Sequence, residues 1–285
     1  MEKKKLAIAI PASVISDTPH LREKSSKIGL IGRAAAIFRV DEIIVYPDNP
    51  RKGKQKREAD LIALLLAYLE TPQYLRKRLF KLDPQLQYAG ILPPLRTPHH
   101  PLNRKTENLK VGEYREGVTL SKIKEGVLVD IGVERPALIR ETSWALGKRL
   151  TLQVVNAGER VEVQTVGRDE VPGYWGYTVT VESRSFGKLV ESGKFDLTLA
   201  TSKIGAKFLD VAEKMAEKWK NADCTLVAFG APARGLHEIV EDEGADLNDV
   251  ADFVVNTIPE QGTETVRTEE ALLASLAIFN LQFGG

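Results

Sequence analysis

Short runs of apolar residues alternate with helical stripes in two separated stretches of this chain. Leu6 to Ile10 and Glu42 to Tyr46 read as strands, with a helix over Ser25 to Phe38 between them and helices over Glu58 to Leu69 and Gln73 to Phe80 behind them. The same alternation returns with Phe195 to Ala200, a helix near Ala206 to Lys218, Cys224 to Phe229, Asp252 to Ile258, and a final helix striped by Leu272, Leu276 and Phe279. Strands that are apolar almost throughout must be covered on both faces. Helices between them supply that cover, so the pattern predicts an α/β fold in which both stretches share one parallel sheet.

The pattern changes between about Arg104 and Ser185. Strand-like runs recur there with turn residues between them and no helical period: Val127 to Ile131, Ala137 to Ile139, Leu150 to Val155, Val161 to Val166, and Tyr177 to Val181. A small all-β barrel or sandwich is expected. Gly112 to Thr119 followed by Gly126 to Gly132 resembles the opening strands of an OB-fold or S1-like RNA-binding domain. Pro93, Pro94, Pro98 and Pro101 suit a stiff entry into this insertion, and Ser183 to Gly193 suits the exit. The expected division is therefore 1–103 and 186–285 as the two parts of an α/β domain, with 104–185 inserted.

Charge adds one distinction. The net charge of +1 carries no global signature of a nucleic-acid binder, so any RNA affinity must come from local clusters. Arg51, Lys52, Lys54, Lys56 and Arg57 form one such run; Arg76 to Arg78 and Arg104-Lys105 form others. Each alone is more often a solvated face. Tyr174 and Trp175 are candidate stacking platforms for unpaired bases, although aromatics in a small barrel more often fill or edge its core. The lone Cys224 excludes an internal disulfide and reads as a core residue. No apolar run has the length of a membrane span or a signal peptide, and a cytoplasmic protein is expected. His99-His100 has no partners at metal-ligand spacing and reads as polar surface, so no metal is expected.

Ligands in open α/β sheets bind beyond the carboxyl ends of strands. Three Gly/Pro loops stand at predicted strand ends: Gly90 to Leu95, Gly230 to Gly235, and Asn256 to Gly262. The last feeds a helix for which Thr268 is the expected N-cap and Glu269 and Glu270 are dipole-favoured acids. Gly230 to Gly235 has the spacing of a phosphate loop. Leu236 and His237 occupy the positions where Lys and Ser/Thr would have to hold phosphate and magnesium, which argues against an NTPase. No GxGxxG follows a strand, and no serine sits in a nucleophile elbow.

Phe195 to Ser202, Val227 to Pro232, Asn256 to Gly262 with Arg267 to Ala271, and the N-terminal Gly32 to Phe38 with Val40 to Val45 together resemble the SPOUT, or α/β-knot, RNA methyltransferases. The likeness is to the archaeal and eukaryotic branch that carries an OB-like insertion. It implies a trefoil knot formed with the final helix, a homodimer, and S-adenosylmethionine held by Leu92, Thr201, Phe229, Gly230, Ala231, Asn256, Ile258, Pro259, Gln261, Gly262 and Thr265. It implies an RNA substrate, ribosomal or transfer RNA, methylated at a base nitrogen such as uridine N3 or at a ribose 2′-hydroxyl. Arg33 is the candidate catalytic residue on the acceptor side, with a helix-surface arginine as the equally weighted alternative reading; Arg267 is the alternative candidate, although its motif position suggests that it braces the cofactor loop. The rival function is a non-catalytic RNA-binding or assembly protein with a vestigial pocket.

Overall fold

In the computed structural model of the protein, residues 4–49 and 55–284 are described. Arg51, Lys52 and Lys54 of the first basic run lie outside them. In chain order the elements are β1 (Lys5–Pro11), α1 (Leu21–Ile37), β2 (Glu42–Tyr46), α2 (Gln55–Glu70) and α3 (Gln73–Leu79). An all-β stretch follows: β3 (Tyr114–Ile123), β4 (Gly126–Asp130), β5 (Ala137–Ile139), β6 (Arg149–Ala157) and β7 (Val161–Thr165). The chain continues with β8 (Thr178–Val181), α4 (Phe186–Glu191), β9 (Leu197–Lys207), α5 (Phe208–Asn221) and β10 (Cys224–Ala228). It ends with α6 (Leu236–Glu241), α7 (Leu247–Val250), β11 (Phe253–Asn256) and α8 (Thr268–Phe283). Two compact units result, one made of Met1–Ala67, Gln87–Pro93 and Tyr177–Gly285, the other of Tyr68–Leu86 and Pro94–Gly176.

The first unit holds a six-stranded sheet in the order β11-β9-β10-β1-β2-β8. Every pairing in it is parallel. The central strands are sealed on both faces, with Ile8, Ile10, Ile43, Val45 and Val227 fully buried on one and Ala9, Tyr46 and Ala228 on the other, which is what their unbroken apolar runs required. Leu272, Leu276 and Phe279 of α8 are also buried and serve the core.

β8 belongs to this sheet and not to the barrel, contrary to the strand count read from the sequence. Its residues pair with β2, Ile43 against Val179 and Val45 against Val181. An edge strand is half solvated, and Thr178 and Thr180 are exposed, so its alternation mimics an antiparallel barrel strand.

Gly90 to Leu95 is a second correction. No strand precedes this loop; a 3-10 turn at Ala89–Ile91 leads into it. Leu92 is buried against α1, where Gly29 leaves no room for a side chain: a Cβ there would meet Pro93 Cδ at 2.9 Å.

In the second unit β3-β4-β5-β7-β6 close into a barrel. Val127, Val129, Ile131, Leu152, Val154 and Val163 fill it, with Leu109 at one end. The same unit contains a buried ionic network. Arg149 reaches Glu70 at 2.7 Å and Glu116 at 2.6 Å; Arg168 reaches Glu70 at 2.9 Å, and His99 Nε2 lies 3.2 Å from the Glu70 carboxylate. Burial opposes the Glu70 charge, but the His99 hydrogen bond and Arg149 outweigh it and hold the carboxyl well below the usual range. His99 is therefore interior, fully buried against Glu70, and not the surface residue its loop position suggested. Trp175 joins the same network, 5% exposed and donating its indole N–H to Glu116 at 2.6 Å. Its ring is packing material here, with no open face for a base; Tyr174 beside it is half-buried.

Candidate active site

Backbone register creates the site. β9 pairs with β11 as Ala200 opposite Val254 and then as Ala206 opposite Val255, so residues 201–205 leave the ladder as an excursion beside the sheet's carboxyl edge. Thr201 to Ile204 form one wall of a cavity of about 390 Å³. The loop after β10, Phe229 to Gly235, and the loop after β11, through Thr265, form the others, with Thr268 and Ala271 of α8 closing it. Its size falls in the range of small-molecule sites, roughly 300–1,000 Å³.

Hydrogen bonds fasten the walls to one another. Asn256 donates its amide to the Lys203 carbonyl at 2.8 Å and accepts from the Ile258 N–H at 2.9 Å. Lys203 Nζ donates to the Glu264 carbonyl at 2.9 Å, and Gln261 donates to the carbonyls of Thr263 and Glu264. Thr201 Oγ1 donates to Ala228 O at 2.9 Å, and the buried Tyr46 hydroxyl donates to Phe229 O at 2.7 Å. The turn at Ala231 to Arg234 brings its own backbone so near Gly230 that a Cβ there would meet Arg234 O, Gly235 Cα and Leu236 N, each at 3.2 Å. A larger residue at that position would oblige this backbone to give by a few tenths of an ångström.

Of the residues expected to hold a cofactor, Thr201, Phe229, Gly230, Ala231, Asn256, Ile258, Gln261 and Thr265 line this cavity. Leu92, Pro259 and Gly262 do not: Leu92 packs under α1, Pro259 lies with Phe208 and Leu281 on another surface, and Gly262 is exposed. Ser202, Lys203, Arg234, His237 and Glu264 line the cavity without having been singled out for it. Only the register shift in β9 places the first two, and no local sequence signal marks such a shift. His237 has its Nε2 buried without a hydrogen-bond partner among the described residues.

Thr268 is not the N-cap of α8. The helix begins at Thr268 itself, the cap position is Arg267, and the Glu270 carboxylate accepts the Arg267 N–H at 3.0 Å. The Thr268 hydroxyl is used across the fold, donating to Gly230 O at 3.0 Å. Arg33 is half-buried on α1 and is not among the cavity-lining residues. Lys56 and Arg57 are exposed on the first turn of α2. Cys224 is only partly buried, at the start of β10. Among the described residues no cluster of His, Cys, Asp and Glu could hold a metal ion, and no helix is long and apolar enough to cross a membrane.

A parallel α/β sheet with a loop-lined cavity beyond its carboxyl edge is the arrangement in which open α/β proteins bind small molecules, and the chain adds to it a small closed β-barrel. A family profile described as "Putative RNA methyltransferase" matches residues 5–279. The chain is 35% identical to a mouse 28S rRNA (uridine-N(3))-methyltransferase, over 95% of this chain and 75% of the mouse protein. It is 33% identical to the human 28S rRNA (uridine-N(3))-methyltransferase, over 95% of this chain and 77% of that one. An uncharacterized protein of Halobacterium salinarum is 34% identical over 96% of this chain and 98% of its own length. The chain belongs to this family: it is a SPOUT-type, S-adenosylmethionine-dependent RNA methyltransferase with a small β-barrel insert.

The cavity suits that cofactor. Its walls offer apolar surface from Phe229, Val255, Ile258 and Ala271 beside backbone groups of the two loops, and the unpartnered His237 nitrogen is a further polar contact. When bound, S-adenosylmethionine supplies a methyl group already activated on a sulfonium sulfur. The protein's task is then to align donor and acceptor and to manage one proton or a developing charge.

Proposed function

We propose that this enzyme methylates N3 of a uridine in large-subunit ribosomal RNA and works as a homodimer. The observation that carries the substrate is the match, along nearly the whole chain, to mouse and human proteins named for that reaction. N3 of uracil bears a proton, and its loss spreads negative charge onto the flanking carbonyl oxygens. A guanidinium beside those oxygens stabilises the charge as it develops, and Arg33 is assigned that role.

An exposed apolar face around Arg33 supports the dimer. Leu30, Arg33 and Ile37 share one face of α1 by their helical spacing, and both apolar members are exposed, at 55% and 52%. Leu273, on α8, is exposed too, and α8 packs on α1. A second copy covering this face would bury Leu30, Ile37 and Leu273, and Arg33, which lies outside its own cavity, would then serve the partner's.

Mass spectrometry of ribosomal RNA nucleosides from cells with and without the gene tests the substrate: loss of 3-methyluridine is expected, and an unchanged level refutes the assignment. In single-turnover transfer, Arg33→Ala should slow the methyl step by an amount on the order of 3 kcal/mol, with cofactor affinity unchanged and Lys rescuing only in part. Sedimentation at micromolar concentration reads the dimer.

A further inference from the structure

Arg96, Arg104, Gln73, Tyr74, His100 and Leu102 line a second cavity, of about 180 Å³, wholly within the barrel-containing unit. No acidic residue lines it. Among the described residues neither the Arg96 nor the Arg104 guanidinium has a carboxylate partner, although ion pairs occupy most of the other arginines of this unit. Both side chains are exposed, and an anion in this cavity would gain charge-assisted hydrogen bonds from them.

The backbone is committed to it as well. Arg96 has φ +53, in the left-handed region that a residue with a β-carbon adopts only at a cost, and such outliers cluster at ligand sites. The loop carrying both arginines is fixed from beneath. The fully buried Arg115 donates to the Asn103 carbonyl at 3.2 Å, Glu134 accepts from Thr106 N at 2.8 Å, and the Nε2 atoms of His99 and His100 both lie against Glu70 O. Leu102, which also lines the cavity and is 81% exposed, is an apolar shelf in the same lining as the two arginines. The exposed Lys77 and Arg78 on α3 follow Gln73 and Tyr74 along the same helix.

We infer that this cavity grips one nucleotide of the substrate RNA, with Arg96 and Arg104 on its phosphodiester and Leu102 against its base or ribose. The inference rests on RNA being the substrate and gives the barrel-containing unit its point of attachment. That point lies on the segment leading into the barrel, over the buried network, to which Tyr74 is tied through the Glu116 carbonyl and His100 through the Glu70 carbonyl. The apolar shelf selects a looped or single-stranded RNA, since Leu102 beside the two arginines needs a base face that is not already stacked.

The test uses the full chain carrying Arg96→Gly and Arg104→Gln. Glycine accepts the left-handed backbone, so the first change removes the guanidinium without new strain, and the thermal midpoint should hold or rise. Binding of a fluorescently labelled RNA hairpin with a uridine-containing loop should weaken about tenfold, and the slope of log affinity against log salt should shrink by about 0.7, one phosphate of a single strand. Cofactor affinity, read by calorimetry, should not move. Unchanged RNA affinity and salt slope in the double variant overturn the inference. Saturable binding of uridine monophosphate by the wild type, with RNA affinity unaffected by the substitutions, would make this a free-nucleotide site and overturns it equally. Methyl transfer by the wild-type enzyme is measured separately, so a wrong target uridine and a wrong docking site give different results.

Discussion

Thr268 and Gly230 are 38 residues apart, and a hydrogen bond of 3.0 Å from the threonine hydroxyl to the glycine carbonyl joins the first turn of the last helix to the loop after β10. Two walls of the cofactor cavity are thereby held at a fixed spacing. Thr268 is buried, so removing its hydroxyl strands a carbonyl at a cost of about 1–3 kcal/mol. Thr268→Val should weaken S-adenosylmethionine binding several-fold while Thr268→Ser keeps it. Calorimetry that finds the valine variant equal to wild type would show that the two walls need no such link.

Gly230 and Gly262 separate by the same logic. A methyl at Gly230 meets three backbone atoms at 3.2 Å, whereas one at Gly262 meets nothing within 4 Å. Gly230→Val should distort the loop and abolish cofactor binding together with some stability. Gly262→Val should fold as wild type does, so a loss of cofactor affinity there would mean that the ligand itself reaches Gly262. Thermal melts beside titration calorimetry distinguish the two.

Glu260 carries φ +58 on the loop between β11 and α8, with its side chain 88% exposed. A left-handed conformation costs a non-glycine residue about 1–2 kcal/mol, and its nearest charge, Lys207 at 3.9 Å, returns little of that in solvent. Glu260→Gly should raise the thermal midpoint by about 2 °C. A lower midpoint would show that the glutamate has a role the backbone strain conceals.

The barrel-containing unit should be sensitive to acid. Burial and the neighbouring His99 push His100 down from 6.5 to about 4. Between those values the unfolded chain takes up a proton that the folded one refuses, so stability falls as pH drops through that window. Glu70, held low by His99 and Arg149 against its burial, contributes stability above the ordinary carboxylate range and loses it on further acidification. Both act in the same direction. His100→Gln should flatten the dependence of the thermal midpoint on pH between 6.5 and about 4, and an equally steep profile in that variant would remove His100 from the account.

Much of this was legible in the chain. Uninterrupted apolar runs such as Leu6 to Ile10 and Cys224 to Phe229 dictated a sheet buried on both faces, because no other arrangement hides every side chain of a strand. The turn-punctuated runs after Gly112 marked a barrel, and the Gly/Pro loops at Gly230 and Ile258 marked the walls of a cavity, since chain direction alone places the ends of parallel strands on one edge. Tertiary structure decided what depends on neighbours distant in sequence. Register between β9 and β11 turned Ser202 and Lys203 into cavity walls, pairing with β2 drew β8 out of the barrel, and burial made His99 and Trp175 interior partners of Glu70 and Glu116. Local propensity carries no record of these, because which partner satisfies a hydrogen bond or a charge is settled only when remote segments meet.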